Sequence, residues 1–423
     1  MIYLNNAATG FPKPPLVLEA VRTSLDVPPY DARRSTSASA GEDPIESCRS
    51  SLADFFGVAN AQRIAFAGNA TDALNMAIHG LSLVGGAHVI TTQADHNATL
   101  RPLATLQREG DIALTVVRCD RSGRVAPSDI EAALKPNTRA VILSHASNVT
   151  GVVQDLSSIG SVAHAHGALL VVDAAQSAGQ VAIDVKEIGI DLLAFTGHKS
   201  LHALQGIGGL YVREGVDLRP WRIGGTGVRS HEPYQPEEMP LRLEAGTLNS
   251  LGIISLKAGI EFIRSIGLEA ITQRKRAVVG AFLDAFEAMP EIVLYGEPDR
   301  DRAMIALNIE GIDPEQAGYI LENAFSIVVR SGLHCAPLIH GAMGSSPSGC
   351  LRISPSYFTR DKEVEATIEA LKQLCQMSAS TSTSTSTSTS ARTNARTNVG
   401  LENARTNADR SPSSTTIPQK ARR

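Results

Sequence analysis

The chain of 423 residues is short of several things. No apolar run reaches the roughly 18 residues that a membrane-spanning helix needs, so no membrane partner is expected. Cysteine is scarce: Cys48, Cys119, Cys335, Cys350 and Cys375 are scattered, odd in number and without a CxxC pair. That argues against a disulfide framework and a zinc cage, and no metal site is expected. The formal net charge is −4, with no basic excess, so nucleic acid is not an expected partner. The first residues, MIYLNNAATG, lack a charged stretch followed by an apolar one, so they do not read as a signal peptide. A cytoplasmic protein is expected, in a compartment where a single reactive thiol would stay reduced. What is present is 43% hydrophobic residues, enough for a sizeable core, and a length that suggests two to three domains.

The composition breaks at Ser378. SASTSTSTSTSTS runs to Ser390, and ARTN then occurs three times. Residues 378–423 hold no aromatic side chain and almost no large apolar one, so they are expected to be a disordered, low-complexity tail. The tail carries seven basic and two acidic residues, whereas residues 1–377 carry 32 basic and 41 acidic. The near-neutral total therefore averages two unlike parts.

Residues 1–377 alternate between short apolar runs and helical patterns. RIAFA, HVITT, LTVVRC, AVILSHA, LLVVDAA, LLAFTG and GLYVR read as strands, several apolar throughout as strands covered on both faces are. Between them, Ala70, Leu74, Ala77, Ile78 and Leu81 form one helix face, and residues 155–166 a second candidate helix. This implies an α/β fold with a central, mostly parallel sheet. After about residue 250 come two long amphipathic helices, the strand candidates IVLYG, MIALNIE, SIVVRSG and CLRIS, and a closing helix from Asp361, which together imply a smaller α+β domain. The expected divisions are an N-terminal segment 1–15 near the active site, a large domain 16–254, a small domain 255–377 and the tail 378–423.

Asp173 ends one apolar run, and Lys199 follows the next in a polar, glycine-containing turn. The ends of parallel strands are where such sheets present residues to a ligand. A lysine there suits a Schiff-base nucleophile, and an acidic residue suits a pyridinium nitrogen. The segment AGNATDALN places Gly68, Asn69, Ala70 and Thr71 between a strand and a helix start, where free N–H groups attract anions. A simple helix cap would use the same residue types.

The wording VVDAAQSAG…TGHKSLHALQGIGGLYV, with AGNATDALN, ADHNATLRP, HASNVTGVV, RLEAGTLN, RSGLHCAP and LRISPSYFT, closely resembles the class V aminotransferase-like enzymes that use pyridoxal 5'-phosphate (PLP). Within that class it is most similar to the cysteine desulfurase and selenocysteine lyase family. The resemblance spans residues 2–375 and implies a fold type I PLP-dependent transferase. It implies that Lys199 is the cofactor lysine and proton carrier, that Asp173 pairs with the ring nitrogen, and that Gln176 bonds the ring hydroxyl oxygen. Thr196, His198, Ala70 and Thr71 would hold the phosphate. Where the family often shows two hydroxyl residues, this chain has Ala70, so one side-chain contact is lost. His96 would stack on the ring and act in catalysis by moving protons, and Asn148 would lie beside the ring oxygen and the substrate. Gly246 and Thr247 would reach the phosphate of a neighbouring subunit in a homodimer.

Arg352 would bind the substrate α-carboxylate, a task its planar fork suits. Cys335 would take sulfur from L-cysteine as a persulfide, leaving L-alanine, with L-selenocysteine as a further substrate. Seventeen positions separate Cys335 from Arg352, a short spacing similar to the group II branch. A small thiol or a sulfur-acceptor protein would then collect the sulfur. The other reading is a class V enzyme that does not use the cysteine: a selenocysteine lyase, an aminotransferase or an epimerase.

Overall fold

The computed structural model describes residues 1–26, 43–297 and 299–390. In chain order the first elements are β1 (Ile2–Tyr3), α1 (Pro15–Leu25), α2 (Pro44–Phe56), β2 (Ile64–Ala67), α3 (Ala70–Gly80), β3 (Ala87–Thr92), α4 (Asn97–Glu109) and β4 (Ile112–Val117). Then follow α5 (Pro127–Ala133), β5 (Thr138–Ser144), α6 (Leu156–Ala165), β6 (Leu169–Asp173), α7 (Val185–Ile188), β7 (Leu192–Thr196) and β8 (Gly208–Val212). The second half holds α8 (Ser250–Ile266), α9 (Leu268–Phe286), β9 (Ile292–Tyr295), β10 (Ile305–Ile309), α10 (Pro314–Phe325), β11 (Ile327–Val328), α11 (Pro337–Met343), β12 (Leu351–Ile353) and α12 (Asp361–Ser390).

The seven apolar runs of the first half form one sheet in the order β2-β8-β7-β6-β5-β3-β4. Strands β4, β3, β5, β6 and β7 are parallel, and β8 runs antiparallel to both β7 and β2. The central strands β6 and β7 are buried almost residue for residue, which is why they read as unbroken apolar runs rather than alternating ones. Two separate hydrophobic clusters cover the two faces of the sheet. Register aligns Ser144 with Asp173 and Asp173 with Ala194, so the C-terminal ends of β5, β6 and β7 meet along one edge.

The small domain carries the antiparallel sheet β12-β10-β9. SIVVRSG gives only the two-residue β11, because its pairing partner is the equally short β1. That pairing, with Leu4 in the small-domain core, ties the N-terminal segment to this domain. Helix α8 places Ile253, Leu256, Ile260 and Ile263 in the core under the large sheet. The small-domain core begins with Val278 and Val279 on α9, so the change of core falls inside that helix. Helix α12 is apolar and buried at Leu371, Leu374 and Cys375 and continues through Ser390. Extending a formed helix fixes few dihedrals per hydrogen bond gained, so it can run past the composition break at Ser378. The remainder of the segment expected to be disordered, 391–423, lies outside the described residues.

Candidate active site

The ends of the parallel strands open into a cavity of about 610 Å³. Ala70, Thr71, His96, Asn148, Asp173, Gln176, Thr196, His198, Lys199 and Arg352 all line it. Residues as far apart in sequence as Ala70 and Arg352 thus line one cavity. Three other expected residues stand apart. Gly246 and Thr247 are exposed and do not line the cavity. Cys335 lines an adjoining groove of about 470 Å³ that shares Thr71, His96 and Ala98 with the cavity.

Asp173 is buried as the last residue of β6, and its Oδ1 accepts the Ala175 N–H at 2.9 Å. Burial pushes its carboxyl pKa up, opposed by that hydrogen bond and by Lys199. Burial lowers the Lys199 amine to about 8, with Asp173 pulling it up and the Arg352 and Arg330 guanidinium groups pulling it down. Its partial exposure is to the cavity it lines. A neutral amine is the nucleophilic and basic form, so this environment prepares the lysine for covalent and proton-transfer work near neutral pH.

The turn carrying Lys199 is held from the N-terminal segment. The His198 carbonyl accepts from Gly10 N at 2.9 Å, Lys13 Nζ at 3.0 Å and Thr9 Oγ1 at 3.2 Å. A Cβ on Gly10 would lie 2.6 Å from the Lys199 carbonyl oxygen, so only glycine allows this approach. The His198 ring meets Thr9 Oγ1 at 3.1 Å, and burial lowers its pKa to about 4.

Asn69 caps α3 by accepting the Asp72 N–H at 3.0 Å, which leaves the first turn of that helix facing the cavity through Ala70 and Thr71. A Cβ on Gly208 would sit 2.4 Å from the Phe195 carbonyl oxygen and 3.0 Å from the Asn69 backbone, so that glycine lets the α3 N-terminus lie close on the sheet. His96 caps α4, its Nδ1 accepting the Ala98 N–H at 3.0 Å. Burial, then Lys199 and Arg330, lower its pKa to about 4, so the ring is neutral and carries its proton on Nε2.

Arg352 is 1% exposed. Its Nη1 donates to the Asn148 carbonyl at 2.6 Å and its Nη2 to Asn5 Oδ1 at 3.1 Å, while Nε is buried without a partner. Among the described residues no carboxylate neutralises it, and burial pulls its pKa down to about 9. A cation held this way, with donor capacity spare, is suited to an incoming carboxylate. Asn148 spends its amide on the His334 carbonyl at 2.6 Å, which ties the β5 end to the cysteine loop.

That loop is tightly shaped. His334 and Cys335 both have left-handed backbone, φ +50° and +59°, an uncommon conformation for two consecutive non-glycine residues. The Cys335 carbonyl accepts the Asn97 N–H at 2.7 Å, and Arg330 Nη2 lies 3.4 Å from Cys335 Sγ. His334 does not face that thiol: its Nε2 lies 2.9 Å from the Cys350 carbonyl oxygen and 3.5 Å from Cys350 Sγ. Of the five cysteines Cys335 is the exposed one. Burial raises the other thiols, Cys48 and Cys350 to about 12 and Cys119 and Cys375 to about 11, which makes them poor nucleophiles. The glycine- and serine-rich stretch after Cys335 is anchored by α11, which places Ile339 and Met343 in a small buried cluster.

Sequence reasoning passed over Arg330, Asn5, Ser144 and the Thr9–Lys13 strap. Arg330 stands inside the quoted RSGLHCAP, five residues before the cysteine; the strap carried no signal, since it acts through a fold-dependent contact.

Residues 2–367 match the family of class V aminotransferases, and the chain belongs to that family of PLP-dependent enzymes. A probable cysteine desulfurase of Methanothermobacter thermautotrophicus is 34% identical over 338 residues, which cover 79% of this chain and 84% of the relative. A cysteine desulfurase of Enterobacter sp. strain 638 is 31% identical, with 78% and 82% covered. Among solved structures, the apo cysteine desulfurase of Thermococcus onnurineus NA1 superposes with a TM-score of 0.79 at 32% identity, covering 89% of this chain and 94% of that one. The Escherichia coli cysteine desulfurase CsdA does so with a TM-score of 0.81 at 26% identity and the same coverage.

The cavity fits the cofactor on its own evidence. Thr196 Oγ1, Ser144 Oγ and Gln176 Oε1 are buried in its wall with no hydrogen-bond partner. Buried polar atoms left unpaired are costly, and a polar ligand in the cavity would satisfy them. A lysine amine, a buried carboxylate and a helix N-terminus match an aldehyde, a ring nitrogen and a phosphate respectively.

Proposed function

We propose that this chain is a PLP-dependent cysteine desulfurase that converts L-cysteine to L-alanine and holds the sulfur on Cys335. The observation that carries the reading is the exposed Cys335 thiol, with Arg330 Nη2 at 3.4 Å, beside a cavity lined by Lys199, Asp173 and Arg352. PLP, when bound, supplies an electron sink for the substrate α-carbon. Asp173 would stay anionic against the ring nitrogen. Arg352 would take the α-carboxylate with its spare donor. Lys199 would bind the cofactor, then remove and return the proton at the α-carbon. Thr196, His198, Ala70 and Thr71 would hold the phosphate, and His96, neutral, would lie on the ring. Gln176 and Asn148 would face the ring oxygen.

Cys335 would act as thiolate on the substrate sulfur. The new S–S bond forms as the substrate C–S bond breaks, and the electron pair of that bond stays with the three-carbon product, which is protonated to alanine. The persulfide would pass to a small thiol or an acceptor protein. Gly246 and Thr247, exposed here, would serve the neighbouring active site of a homodimer, and the enzyme would work in the cytoplasm.

The test is direct. The holoenzyme is treated with L-cysteine, alanine is quantified, and Cys335 is analysed by mass spectrometry. One added sulfur on Cys335 is the expected result. Full alanine production by Cys335→Ala would sink the assignment.

A further inference from the structure

Cys335 sits on a turn whose backbone is costly. His334 and Cys335 are consecutive non-glycine residues with φ of +50° and +59°. Such backbone persists only where its surroundings over-determine it, and it collects at functional sites. The base of the turn is fixed by chain pairing. Arg330 and Arg352 form an antiparallel bridge, and Cys350 N donates to the Gly332 carbonyl at 3.1 Å. Both contacts stop short of the two strained residues. Beyond them, Asn97 N donates to the Cys335 carbonyl at 2.7 Å and Ala336 N to the Leu333 carbonyl at 2.9 Å. The remaining hold on the turn comes from His334.

His334 is 2% exposed and reaches three other segments. Its carbonyl accepts from Asn148 Nδ2 at 2.6 Å, past the end of β5. Its Nε2 lies 2.9 Å from the Cys350 carbonyl oxygen, just before β12. Its ring stacks on His340 of α11, with centroids 5.9 Å apart and planes 29° from parallel. Asn148 in turn gives its own carbonyl to Arg352 Nη1 at 2.6 Å. The turn that carries the thiol and the guanidinium proposed to take the substrate carboxylate therefore share Asn148 as an anchor.

The chemistry of the ring separates holding from proton transfer. A carbonyl oxygen only accepts, so Nε2 carries the proton and Nδ1 is bare. Burial, then Arg352, lower the ring's pKa to about 2, so it stays neutral. A ring so weakly basic, with its proton spent on Cys350, is suited to fixing the turn and not to exchanging protons with the thiol.

We infer that His334 is a positioning residue for sulfur transfer: it clasps the Cys335 turn to Asn148 and to the Cys350 carbonyl, and so holds the thiol in register with a substrate carried by Arg352. The inference rests on the desulfurase reading, because that register matters only if Cys335 takes the sulfur. Misplacing a reacting group by about 1 Å can cost about 10²-fold in rate, so a clasp of this kind has a measurable effect.

The test follows two signals after L-cysteine is mixed with the holoenzyme: sulfur on Cys335, by rapid quench and mass spectrometry, and the cofactor absorbance change. His334→Phe keeps a ring of similar size but has no donor. It should slow sulfur loading about tenfold or more, while the absorbance change and its dependence on L-cysteine concentration stay within about twofold. His334→Gln, whose Nε2 stands as many bonds from the backbone as the ring Nε2, should recover most of the rate. His334→Asn tolerates left-handed backbone but is too short to reach Cys350, so it should be as slow as His334→Phe; it serves if the Phe variant fails to fold. A general fold defect would lower both signals together and would not separate Gln from Asn. Sulfur loading unchanged in Phe and Asn, Gln as slow as Asn, or both signals falling together would each overturn the inference. Unaltered enzyme that loads no sulfur on Cys335 would overturn the desulfurase reading and the inference with it.

Discussion

Asp173 closes a buried strand of the large sheet and Lys199 lies just past the end of the next, whereas Cys335 projects from the loop between the short strand β11 and helix α11. The first pair is surrounded by paired backbone and a packed core; the thiol is exposed and held by a left-handed turn, one backbone hydrogen bond and a guanidinium. The contrast follows from what each part must do. Proton and electron handling gains from a dry, fixed environment, which shifts the Lys199 amine to about 8. A sulfur that must leave the protein cannot be buried. On the proposed reading this is a division of labour: the ends of the large sheet would hold the cofactor chemistry, and the segment after β11 would bring Cys335, Arg330 and Arg352 to it.

Substitution on the two sides should separate these labours. The largest effect is expected for Lys199→Ala, which removes both the cofactor attachment and the base; alanine production should fall about 10³-fold or more, by the usual worth of general base catalysis. Cys335→Ser should lower alanine production by about 10²-fold or more, as loss of the activated nucleophile demands. It should nonetheless leave intact the absorbance change that L-cysteine causes in the cofactor-loaded protein. If Cys335→Ser also abolished that change, the two halves would not be separable and the comparison would fail.

The half that packs was the half legible in the sequence. All seven strands of the large sheet were visible as apolar runs, because burial on both faces demands it, and Asp173 and Lys199 could be placed at strand ends from that pattern alone. The cysteine loop was legible only through its motif. Its φ values, the Cys335–Asn97 bond and the turn of His334 toward Cys350 arise from contacts between segments more than 200 residues apart in the case of Asn97, which no local pattern records. The Thr9–Lys13 strap was illegible for the same reason: three donors from the N-terminus converge on one carbonyl only once β1 has paired with β11.

Arg352 joins the two halves, so it tests the seam. Arg352→Lys keeps the charge but loses the fork and strands the Asn148 carbonyl and Asn5. kcat/KM for L-cysteine should drop about 10–100-fold, the range of one or two charge-assisted hydrogen bonds, most of it in KM. Equal loss in kcat alone would show that the guanidinium acts on the reacting atoms rather than on the carboxylate.

The pH dependence of cofactor uptake is a milder probe of the buried half. Only the neutral amine can attack an aldehyde, and burial holds the Lys199 amine at about 8 instead of 10.5. Below that value the rate at which apoenzyme takes up PLP covalently should rise about tenfold per pH unit, then level off above it. A rate still climbing toward pH 10.5 would show that Lys199 is not desolvated as the fold implies.

The smallest effect is expected at Cys350, the thiol nearest in kind to Cys335 and opposite in setting. Its Sγ is buried against His334, and burial lifts its pKa to about 12. Cys350→Ala removes one sulfur from a small packed cluster, so stability should fall by about 1 kcal/mol, a typical cost for such a change, read as a lowered melting temperature. Desulfuration should stay within about twofold, since RT ln 2 is well under the cost of a lost catalytic contact. The outcome bears on the comparison as a whole. If sulfur were found on Cys350, or if its loss cost as much activity as Cys335→Ser, exposure would not be what selects the acceptor thiol. The His334–Cys350 pair, rather than the Arg330–Cys335 pair, would then be the centre of sulfur transfer.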